Sequence, residues 1–400
     1  MPEADRPRGV KPAIPVTIVT GFLGAGKTSL LNRLVRDPAL AGTGFIINEF
    51  GEIGIDHLLV EAADDGIVEL SSGCLCCTVR GELVTTLENF LRGLDNGRID
   101  TLSRIVIETT GLADPVPVLA TLTTHPYLSL RYAVDGVITV VDAVNGGRTL
   151  DQHAEAVKQV AVADRLVIAK ADLPEGAARL PALQRRLATL NPGASLVDAA
   201  TVALADLLGC GLYDPATKTA DVRRWLNAEA FAGTAEPHHH DPDCADGACD
   251  HPSHHHDHDG HHHHHGGEES RHDGVSAFSL VSDEALPVGA LEMFLELLRA
   301  AHGPKLLRLK GVVRLAEDPD RPLVVHAVQE LFHPPVRLPG WPDADRRTRL
   351  VFITRDLAKD EVKRLFDAFA GVLAPDTPDR RAMTDNPLAL SGFTPPSRRG

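Results

Sequence analysis

The run from Gly21 to Thr28 has the residue types and spacing of a loop that binds nucleotide phosphates, G-x-x-x-x-G-K-[ST]. Its glycines let backbone N–H groups turn towards phosphate oxygens, and the positive end of a following helix adds to the attraction. In such a loop Lys27 reaches the β- and γ-phosphates, and the Thr28 hydroxyl binds Mg²⁺. An ordinary glycine-rich turn is the alternative, but the apolar run before the loop and the helical pattern after it favour a nucleotide site.

A second cluster that could do chemistry consists of Cys74, Cys76 and Cys77, in a chain with six cysteines in all. It precedes a predicted helix with Thr78 as a plausible N-cap, and a helix N-terminus favours the thiolate that binds metal. A single turn with two or three thiolates leaves the tetrahedral coordination of zinc open, which suits an ion that must later leave. Buried packing cysteines remain an alternative, as does a redox pair at the CxxC spacing of Cys74 and Cys77.

A third cluster is the segment between Pro237 and His272, which holds fourteen histidines together with Cys244 and Cys249. Because almost nothing in it is apolar, we expect a disordered insert that gathers or buffers metal; a solvated linker is the alternative. Imidazole binds Zn, Co, Ni and Cu alike, so the segment does not name the ion. The candidate accessory ligands are His238, His239, His240, His254, His255, His256 and His258.

Composition limits the class of protein. The formal charge of −15 on 400 residues argues against general binding to nucleic acid or to an anionic membrane. The N-terminus lacks the apolar core of a signal peptide, and no apolar run approaches the ~20 residues that span a bilayer. We therefore expect a cytoplasmic protein with reduced thiols, in which the cysteines serve as metal ligands or buried small residues.

These candidate residues need elements to position them, and the region from Ile14 to about Asp221 alternates short β-branched runs with helical stretches. That alternation predicts an α/β fold with a parallel sheet. The predicted strands are Val16–Thr20, Gly44–Asn48, Ile67–Leu70, Arg104–Glu108, Gly136–Val141 and Arg165–Ala169. The predicted helices are Lys27–Arg36, Val79–Gly93, Pro115–Leu122, Thr149–Val162 and Ala177–Ala188.

The region after the histidine segment predicts a small α+β domain. Its predicted strands are Gly274–Val281, Leu306–Leu315, Leu323–Leu331 and Arg349–Ile353, and its predicted helices are Leu286–Ala301 and Leu357–Phe369. The expected organisation is a polar extension (1–13), a nucleotide domain (14–235), the histidine insert (236–272), the small domain (273–372) and a flexible tail (373–400).

Taken together, these motifs resemble the CobW family of metal-handling P-loop GTPases, the group of CobW, HypB and UreG. The resemblance covers nearly the whole chain and includes the histidine-rich insert and a CobW-type C-terminal domain. It rests on Gly21–Thr28, on Asn48–Asp56, on the motif Cys74-Leu75-Cys76-Cys77, and on Glu108-Thr109-Thr110-Gly111, which is similar to the family's acidic Walker B variant.

The resemblance implies a SIMIBI-type P-loop NTPase fold, GTP hydrolysis with Mg²⁺, and delivery of a transition metal, Zn²⁺ or Co²⁺. It implies that Cys74, Cys76 and Cys77 bind the metal, that Glu108 organises Mg²⁺ or the attacking water, and that the Gly111 N–H contacts the γ-phosphate. Glu49 lies in a segment expected to switch with the nucleotide, although a solvated loop charge is its alternative. The implied nucleotide-binding residues are Gly21, Gly24, Ala25, Gly26, Lys27, Thr28, Ser29, Gly111, Lys170 and Asp172.

The chain departs from the family pattern where guanine is recognised. The expected Asn-Lys-x-Asp motif is replaced by Ala169-Lys170-Ala171-Asp172. Asp172 can still accept hydrogen bonds from the guanine N1–H and amino group, and Lys170 can lie along the base. Because adenine leaves that acceptor unpaired, we still expect selectivity for GTP, with weaker affinity.

The expected function is therefore that of a GTP-hydrolysing metallochaperone that carries zinc to the apo-forms of client metalloproteins. A homodimer that depends on nucleotide or metal is compatible with this function. Three alternatives stay open: a cobalt-trafficking GTPase for corrinoid synthesis or a cobalt enzyme, a passive metal buffer with a vestigial nucleotide domain, and a P-loop kinase for a small substrate.

Overall fold

The computed structural model describes residues 13–47, 67–69, 78–209 and 274–371. The N-terminal part of the described chain forms a sheet of seven parallel strands in the order β3-β2-β4-β1-β5-β6-β7. The strands are β1 (Ile14–Thr20), β2 (Thr43–Ile47), β3 (Ile67–Glu69), β4 (Arg104–Glu108), β5 (Tyr132–Asp142), β6 (Arg165–Ala169) and β7 (Ser195–Asp198). This architecture confirms the predicted α/β class.

Eight helices of the described chain accompany this sheet. They are α1 (Lys27–Val35), α2 (Thr78–Asp95), α3 (Val116–Thr124), α4 (Leu128–Arg131), α5 (Gly146–Gln152), α6 (Ala154–Val162), α7 (Pro174–Leu190) and α8 (Leu204–Leu207). Alternate residues of the strands face opposite layers: Ile18 packs in the cluster of α2, α3 and α4, whereas Val19 packs in the cluster of α1 and α8. Burial on both faces explains why the strands are nearly continuous apolar runs.

The C-terminal part forms an antiparallel sheet in the order β11-β10-β9-β13-β8, with β12 paired to β10. Its strands are β8 (Val275–Ser282), β9 (Leu306–Val313), β10 (Leu323–Val328), β11 (Leu331–Phe332), β12 (Val336–Arg337) and β13 (Thr348–Arg355). Helices α9 (Val288–His302) and α10 (Lys359–Phe369) cover it, with Phe294 and Phe366 edge-to-face at 5.3 Å. The predicted small α+β domain is thereby confirmed.

The two sheets share an apolar core. Val328 and Leu331, from the C-terminal sheet, pack in the same cluster as Leu119 and Leu122 of α3. On another face, Ala161 of α6 packs with Leu307 of β9. None of the described helices is long and apolar enough to cross a membrane.

Buried charges lie in the same interface. Asp164, directly after α6, forms ion pairs with Arg308 and with Lys310 of β9, the latter at 3.0 Å. Its other carboxylate oxygen accepts a hydrogen bond from the Val137 N–H at 3.0 Å. Burial by itself would raise the pKa of Asp164, but the two neighbouring cations hold it below its usual value.

Several predicted boundaries are wrong for identifiable reasons. The predicted helix Thr149–Val162 is two helices, α5 and α6, because His153 leaves the helical conformation with φ −133° and ψ 109°. Its ring stacks on Phe22 of the phosphate-binding loop at a centroid distance of 4.4 Å. The predicted strand Leu323–Leu331 ends at Val328, because Gln329 is left-handed with φ 52° and the chain reverses into β11.

Helix α9 begins two residues after its predicted start, because Leu286 pairs with Leu315 in a β-bridge. The short elements α4, β7, α8, β11 and β12 of the described chain were not predicted. The predicted strand ends Asn48 and Leu70 lie outside the described residues, as do the whole predicted histidine insert (236–272) and the whole predicted tail (373–400).

Candidate nucleotide site

The phosphate-binding loop connects the end of β1 to the start of α1, in the strand, loop and helix order that its motif predicts. Gly21, Gly24 and Gly26 have φ values of 143°, 70° and 105°, which favour glycine. A Cβ added to Gly21 would also collide with the backbone carbonyl of Val140 in the neighbouring strand β5. Of the remaining predicted phosphate-binding residues, Ala25 is buried, Thr28 is half-buried and Ser29 is exposed on α1.

Lys27 is the first residue of α1 and is buried. Its Nζ donates hydrogen bonds to the carbonyl oxygens of Gly21 at 3.0 Å and of Phe22 at 3.4 Å. The side chain therefore folds back across the loop, and the ammonium group lies where phosphate oxygens would approach the backbone N–H groups. Both of these partners are uncharged carbonyl oxygens of the phosphate-binding loop.

Glu108 ends strand β4 and pairs in register with Val19 of β1, next to the phosphate-binding loop. It is buried with 1% of its surface exposed. The following residue is fixed to β1 by two hydrogen bonds: the Thr109 N–H donates to the Val19 carbonyl at 3.0 Å, and its hydroxyl donates to the Thr20 hydroxyl at 2.7 Å. The adjacent Thr110 hydroxyl is buried and finds no hydrogen-bond partner among the described residues.

Gly111 lies directly against the phosphate-binding loop. A Cβ added to it would be 2.6 Å from the Leu23 backbone nitrogen, so no larger residue fits without displacing that loop. The buried side chain of Gln159 in α6 donates to the Gly111 carbonyl at 3.1 Å and to the Ala113 carbonyl at 3.0 Å. Sequence reasoning missed Gln159, which is the polar residue among the otherwise apolar buried positions of α6.

Lys170 joins the base-recognition motif to the phosphate-binding loop. Its Nζ donates to the Gly24 carbonyl at 2.7 Å and forms an ion pair with Asp142 at 2.9 Å. Burial raises the pKa of Asp142, but hydrogen bonds from Lys170, Asn145 and the Val144 N–H outweigh burial and lower it overall. Asp142 was also missed, although an acidic residue at the end of a predicted strand was a visible signal.

The base-recognition loop after β6 is held in an unusual conformation. Lys170 is left-handed with φ 62°, and only a glycine at position 176 lets α7 approach the Lys170 carbonyl this closely. Asp172 is exposed in this loop. Ala169, which replaces the family's asparagine, is buried, and its Cβ would lie 3.3 Å from a Cβ placed on Gly26.

The predicted residues thus fall into two groups. The phosphate-binding loop, Glu108, Gly111, Lys170 and Asp172 all lie at carboxyl ends of strands in one parallel sheet, which is where such sheets bind ligands. The predicted switch residue Glu49, the thiols of Cys74, Cys76 and Cys77, and the histidine ligands lie outside the described residues. Within the described ranges, no group of three or more His, Cys, Asp or Glu side chains could hold a metal ion.

Comparison with known families matches both parts of the chain. The nucleotide-binding domain model of the CobW/HypB/UreG family matches residues 15–198. The model of the C-terminal domain of the cobalamin synthesis protein CobW matches residues 275–370. These two ranges contain both described sheets.

Individual relatives match over most of the chain. The zinc chaperone YjiA of Escherichia coli K12 is 31% identical over 359 residues, which cover 90% of this chain and 98% of that protein. The zinc chaperone CobW of a Sinorhizobium species is 33% identical, covering 57% of this chain and 70% of that protein. The crystal structure of Zn(II)-bound YjiA GTPase from E. coli superposes with a TM-score of 0.58 at 26% identity, covering 90% and 99% of the two chains.

Proposed function

This chain belongs to the CobW/HypB/UreG family, and on that premise we propose that it is a GTP-hydrolysing metallochaperone. It binds a transition metal, zinc in the first place, at Cys74, Cys76 and Cys77 and transfers it to client metalloproteins. The observation that supports the nucleotide part of this proposal is the buried Lys27 ammonium, which folds back over its own glycine loop. The metal half is supported by the cysteine motif and by relatives named zinc chaperones.

The phosphates of GTP would lie along Gly21, Gly24, Ala25, Gly26 and Ser29, with Lys27 at the β- and γ-phosphates. The oxygen donors of Thr28 and Glu108 suit Mg²⁺, which when bound neutralises charge on the phosphate oxygens. Left-handed glycines at positions 24 and 26 permit the turn that points backbone N–H groups inwards. Binding is thus assigned to backbone groups and one cation, as the chemistry of phosphate requires.

Hydrolysis needs an oriented water and stabilisation of the charge that develops on the γ-phosphate. Glu108 would hold a proton of the attacking water or organise the ligands of Mg²⁺; its position at the end of β4, in register with Val19 of β1, supports this role. The Gly111 N–H and the Thr110 hydroxyl offer donors next to the phosphate-binding loop. Glu49 is proposed as a switch residue on the basis of sequence.

Guanine selectivity would come from Asp172, whose carboxylate pairs with N1–H and the exocyclic amino group, while Lys170 lies along the base. The ion pair of Lys170 with Asp142 and its bond to the Gly24 carbonyl keep the lysine in that position. Adenine would leave the Asp172 carboxylate without donors, which disfavours ATP.

The nucleotide and metal sites are expected to act on each other. A coupling of ~1–3 kcal/mol between two sites changes an affinity roughly 5- to 150-fold, which is small beside the ~10–16 kcal/mol of zinc binding by structural zinc fingers. GTP hydrolysis alone would therefore not expel a tightly held ion. A client protein that offers its own ligands must complete the transfer.

The test is a zinc competition titration of the full chain, loaded in turn with a non-hydrolysable GTP analogue and with GDP, beside an assay of GTP turnover with and without zinc. We expect the zinc affinity to differ roughly 5- to 150-fold between the two nucleotides and turnover to change with zinc. Replacing Cys76 and Cys77 by serine should remove the nucleotide-sensitive zinc site.

Other outcomes favour other functions. Equal zinc affinity with either nucleotide, together with turnover that ignores metal, would contradict the proposal and favour a passive buffer. Transfer of the γ-phosphate to an acceptor other than water would favour a kinase. Tighter nucleotide-dependent binding of Co²⁺ than of Zn²⁺ would favour cobalt trafficking.

A further inference from the structure

The segment from Thr109 to Asp114, here called the 109–114 loop, is held by three different parts of the molecule. Strand β1 holds its start through the two bonds of Thr109, and α6 holds its middle through Gln159. The C-terminal domain holds its end: Gln329 Nε2 donates to Asp114 Oδ2 at 3.0 Å. This last contact joins residues 215 positions apart in the chain.

Gln329 occupies the turn between β10 and β11 and has a left-handed φ of 52°, which a glutamine rarely adopts. The backbone is fixed there by the Gln329 N–H, which donates to the Leu307 carbonyl at 3.2 Å. On either side, Val328 and Leu331 pack into the core of the nucleotide domain. The turn is therefore clamped against the nucleotide domain, and the Gln329 side chain points at the loop from a rigid base.

Asp114 connects this contact to the rest of the nucleotide domain. Its Oδ1 accepts a hydrogen bond from the Val116 N–H at 3.0 Å, at the start of α3. The same carboxylate therefore links the loop, the first turn of α3 and the C-terminal domain. A shift of the C-terminal domain would pull on the same loop that carries Gly111.

The loop in this position also touches the phosphate-binding loop, since Gly111 lies against Leu23. If the Gly111 N–H binds the γ-phosphate, GTP favours this held position and GDP does not. Groups that hold the loop here should therefore raise the affinity for GTP and leave the affinity for GDP nearly unchanged.

We propose that Gln329 is a positioning residue for the nucleotide site, through which the C-terminal domain holds the 109–114 loop in the GTP-binding position. The inference rests on the proposed GTPase function and adds a regulator to it. A client that binds the C-terminal domain and loosens this contact lowers the preference for GTP, and by linkage GTP and such a client oppose each other's binding.

The experiment uses the full chain and measures affinities for a fluorescent non-hydrolysable GTP analogue and for fluorescent GDP. Gln329→Ala should lower the ratio of GTP affinity to GDP affinity about 2- to 10-fold, the range expected for one hydrogen bond. The matched control is Gln184→Ala, at an exposed position of α7, which should keep the wild-type ratio.

A double-mutant cycle separates positioning from general destabilisation. Asp114→Ala should lower the same ratio, and in the double variant the ratio should fall no further than in Asp114→Ala, because Gln329→Ala removes only a contact that Asp114→Ala has already removed. A merely structural role of Gln329 would lower the affinities for GTP and GDP together and would lower the melting temperature.

The inference would be overturned if the ratio of GTP affinity to GDP affinity were unchanged or raised in Gln329→Ala, or if the two single effects were additive in the double variant. In that case GTP binding by the wild-type chain would still support the proposed function. Absence of GTP binding by the wild-type chain would overturn both.

Discussion

The carboxyl edge of the parallel sheet and the interface between the two domains both bury charged side chains, but they use them differently. At the interface, Asp164 is surrounded by Arg308, Lys310 and a backbone N–H, so its charge is matched within the protein. At the sheet edge, Lys27 bonds to uncharged carbonyls of its own loop, and the Thr110 hydroxyl has no hydrogen-bond partner among the described residues.

The interface thus holds a charge that is matched across the two domains, whereas the sheet edge holds a buried hydroxyl, that of Thr110, with no hydrogen-bond partner among the described residues. Removing one partner of a buried ion pair is strongly destabilising, because it leaves the other charge buried and uncompensated. A buried polar group without a hydrogen-bond partner in the protein is expected where a bound ligand supplies that partner. Changes at the interface should therefore lower the free energy of unfolding, and changes at the sheet edge should lower activity.

The largest expected effect tests the interface. Asp164→Ala leaves two buried cations without their counter-ion, and we expect the free energy of unfolding to fall by about 3–5 kcal/mol. Chemical denaturation would measure it. The matched control is Asp151→Ala, whose exposed carboxylate pairs with Arg186 at 2.7 Å and should cost about 1 kcal/mol or less. If the two variants lost equal amounts of unfolding free energy, the buried ion pairs of Asp164 would matter no more for stability than an exposed one.

The next effect tests the sheet edge. Lys27→Ala removes the cation expected at the β- and γ-phosphates, and GTP turnover should fall at least about 10²- to 10³-fold. We expect the melting temperature to change less than in Asp164→Ala. Zinc binding by Cys76 and Cys77 should persist. Lys363→Ala, on the exposed face of α10, is the control; loss of turnover and zinc binding together would contradict separate sites.

A third effect comes from the histidines beside the interface charges. Burial and the charge of Arg308 lower the pKa of His333 to about 4, and its ring stacks on the buried His326 at 4.5 Å. The folded protein keeps His333 neutral, whereas the unfolded chain takes up a proton near its usual pKa of about 6.5. Stability is therefore full above about pH 6.5 and falls as the pH drops towards about 4.

Replacing this ring isolates its share of the pH dependence. His333→Phe keeps a ring in the stack and removes the titration, so the loss of unfolding free energy between about pH 6.5 and 4 should be smaller by about 2–3 kcal/mol. Denaturant titrations at several pH values measure the slope. A variant with the wild-type slope would show that His333 is protonated normally in the folded protein.

The smallest expected effect concerns the choice of base. Asp172→Ala removes the acceptor expected to discriminate guanine, so the preference for GTP over ATP should fall about 5- to 30-fold, or about 1–2 kcal/mol. Competition of ATP against labelled GTP measures it. Asp360→Ala, at an exposed position of α10, should leave the preference unchanged. If Asp172→Ala kept the preference for GTP over ATP, the base would be recognised by backbone groups and not by Asp172.

The fold could be predicted from the sequence because the patterns that indicate its strands and helices are local. A glycine motif between an apolar run and a helical pattern places Gly21 to Lys27, and buried parallel strands appear as apolar runs such as Arg165–Ala169. The break at His153 was not readable, since the helical pattern continues through it. The His153 ring stacks on Phe22, 131 positions away, and a contact at that separation leaves no signal in the local pattern.

The residues of the candidate nucleotide site and the residues that contact it divide in the same way. Lys27, Glu108 and Lys170 belong to motifs with fixed spacing, so their positions followed from the sequence. Gln159 and Gln329 act through long-range contacts, and a lone glutamine carries no spacing signal. Asp164 was equally hidden, because its role depends on cations that follow more than 140 positions later.

The core shared by Val328, Leu331 and the helices around α3 restricts how the chain could be cut into modules. In a fragment that stops before the C-terminal sheet, the apolar surface that packs against Val328 and Leu331 would be exposed to water, and the Asp164 carboxylate would lose both of its cationic partners. Such a fragment should be prone to self-association, so a nucleotide domain carried into another protein would need its C-terminal companion to travel with it.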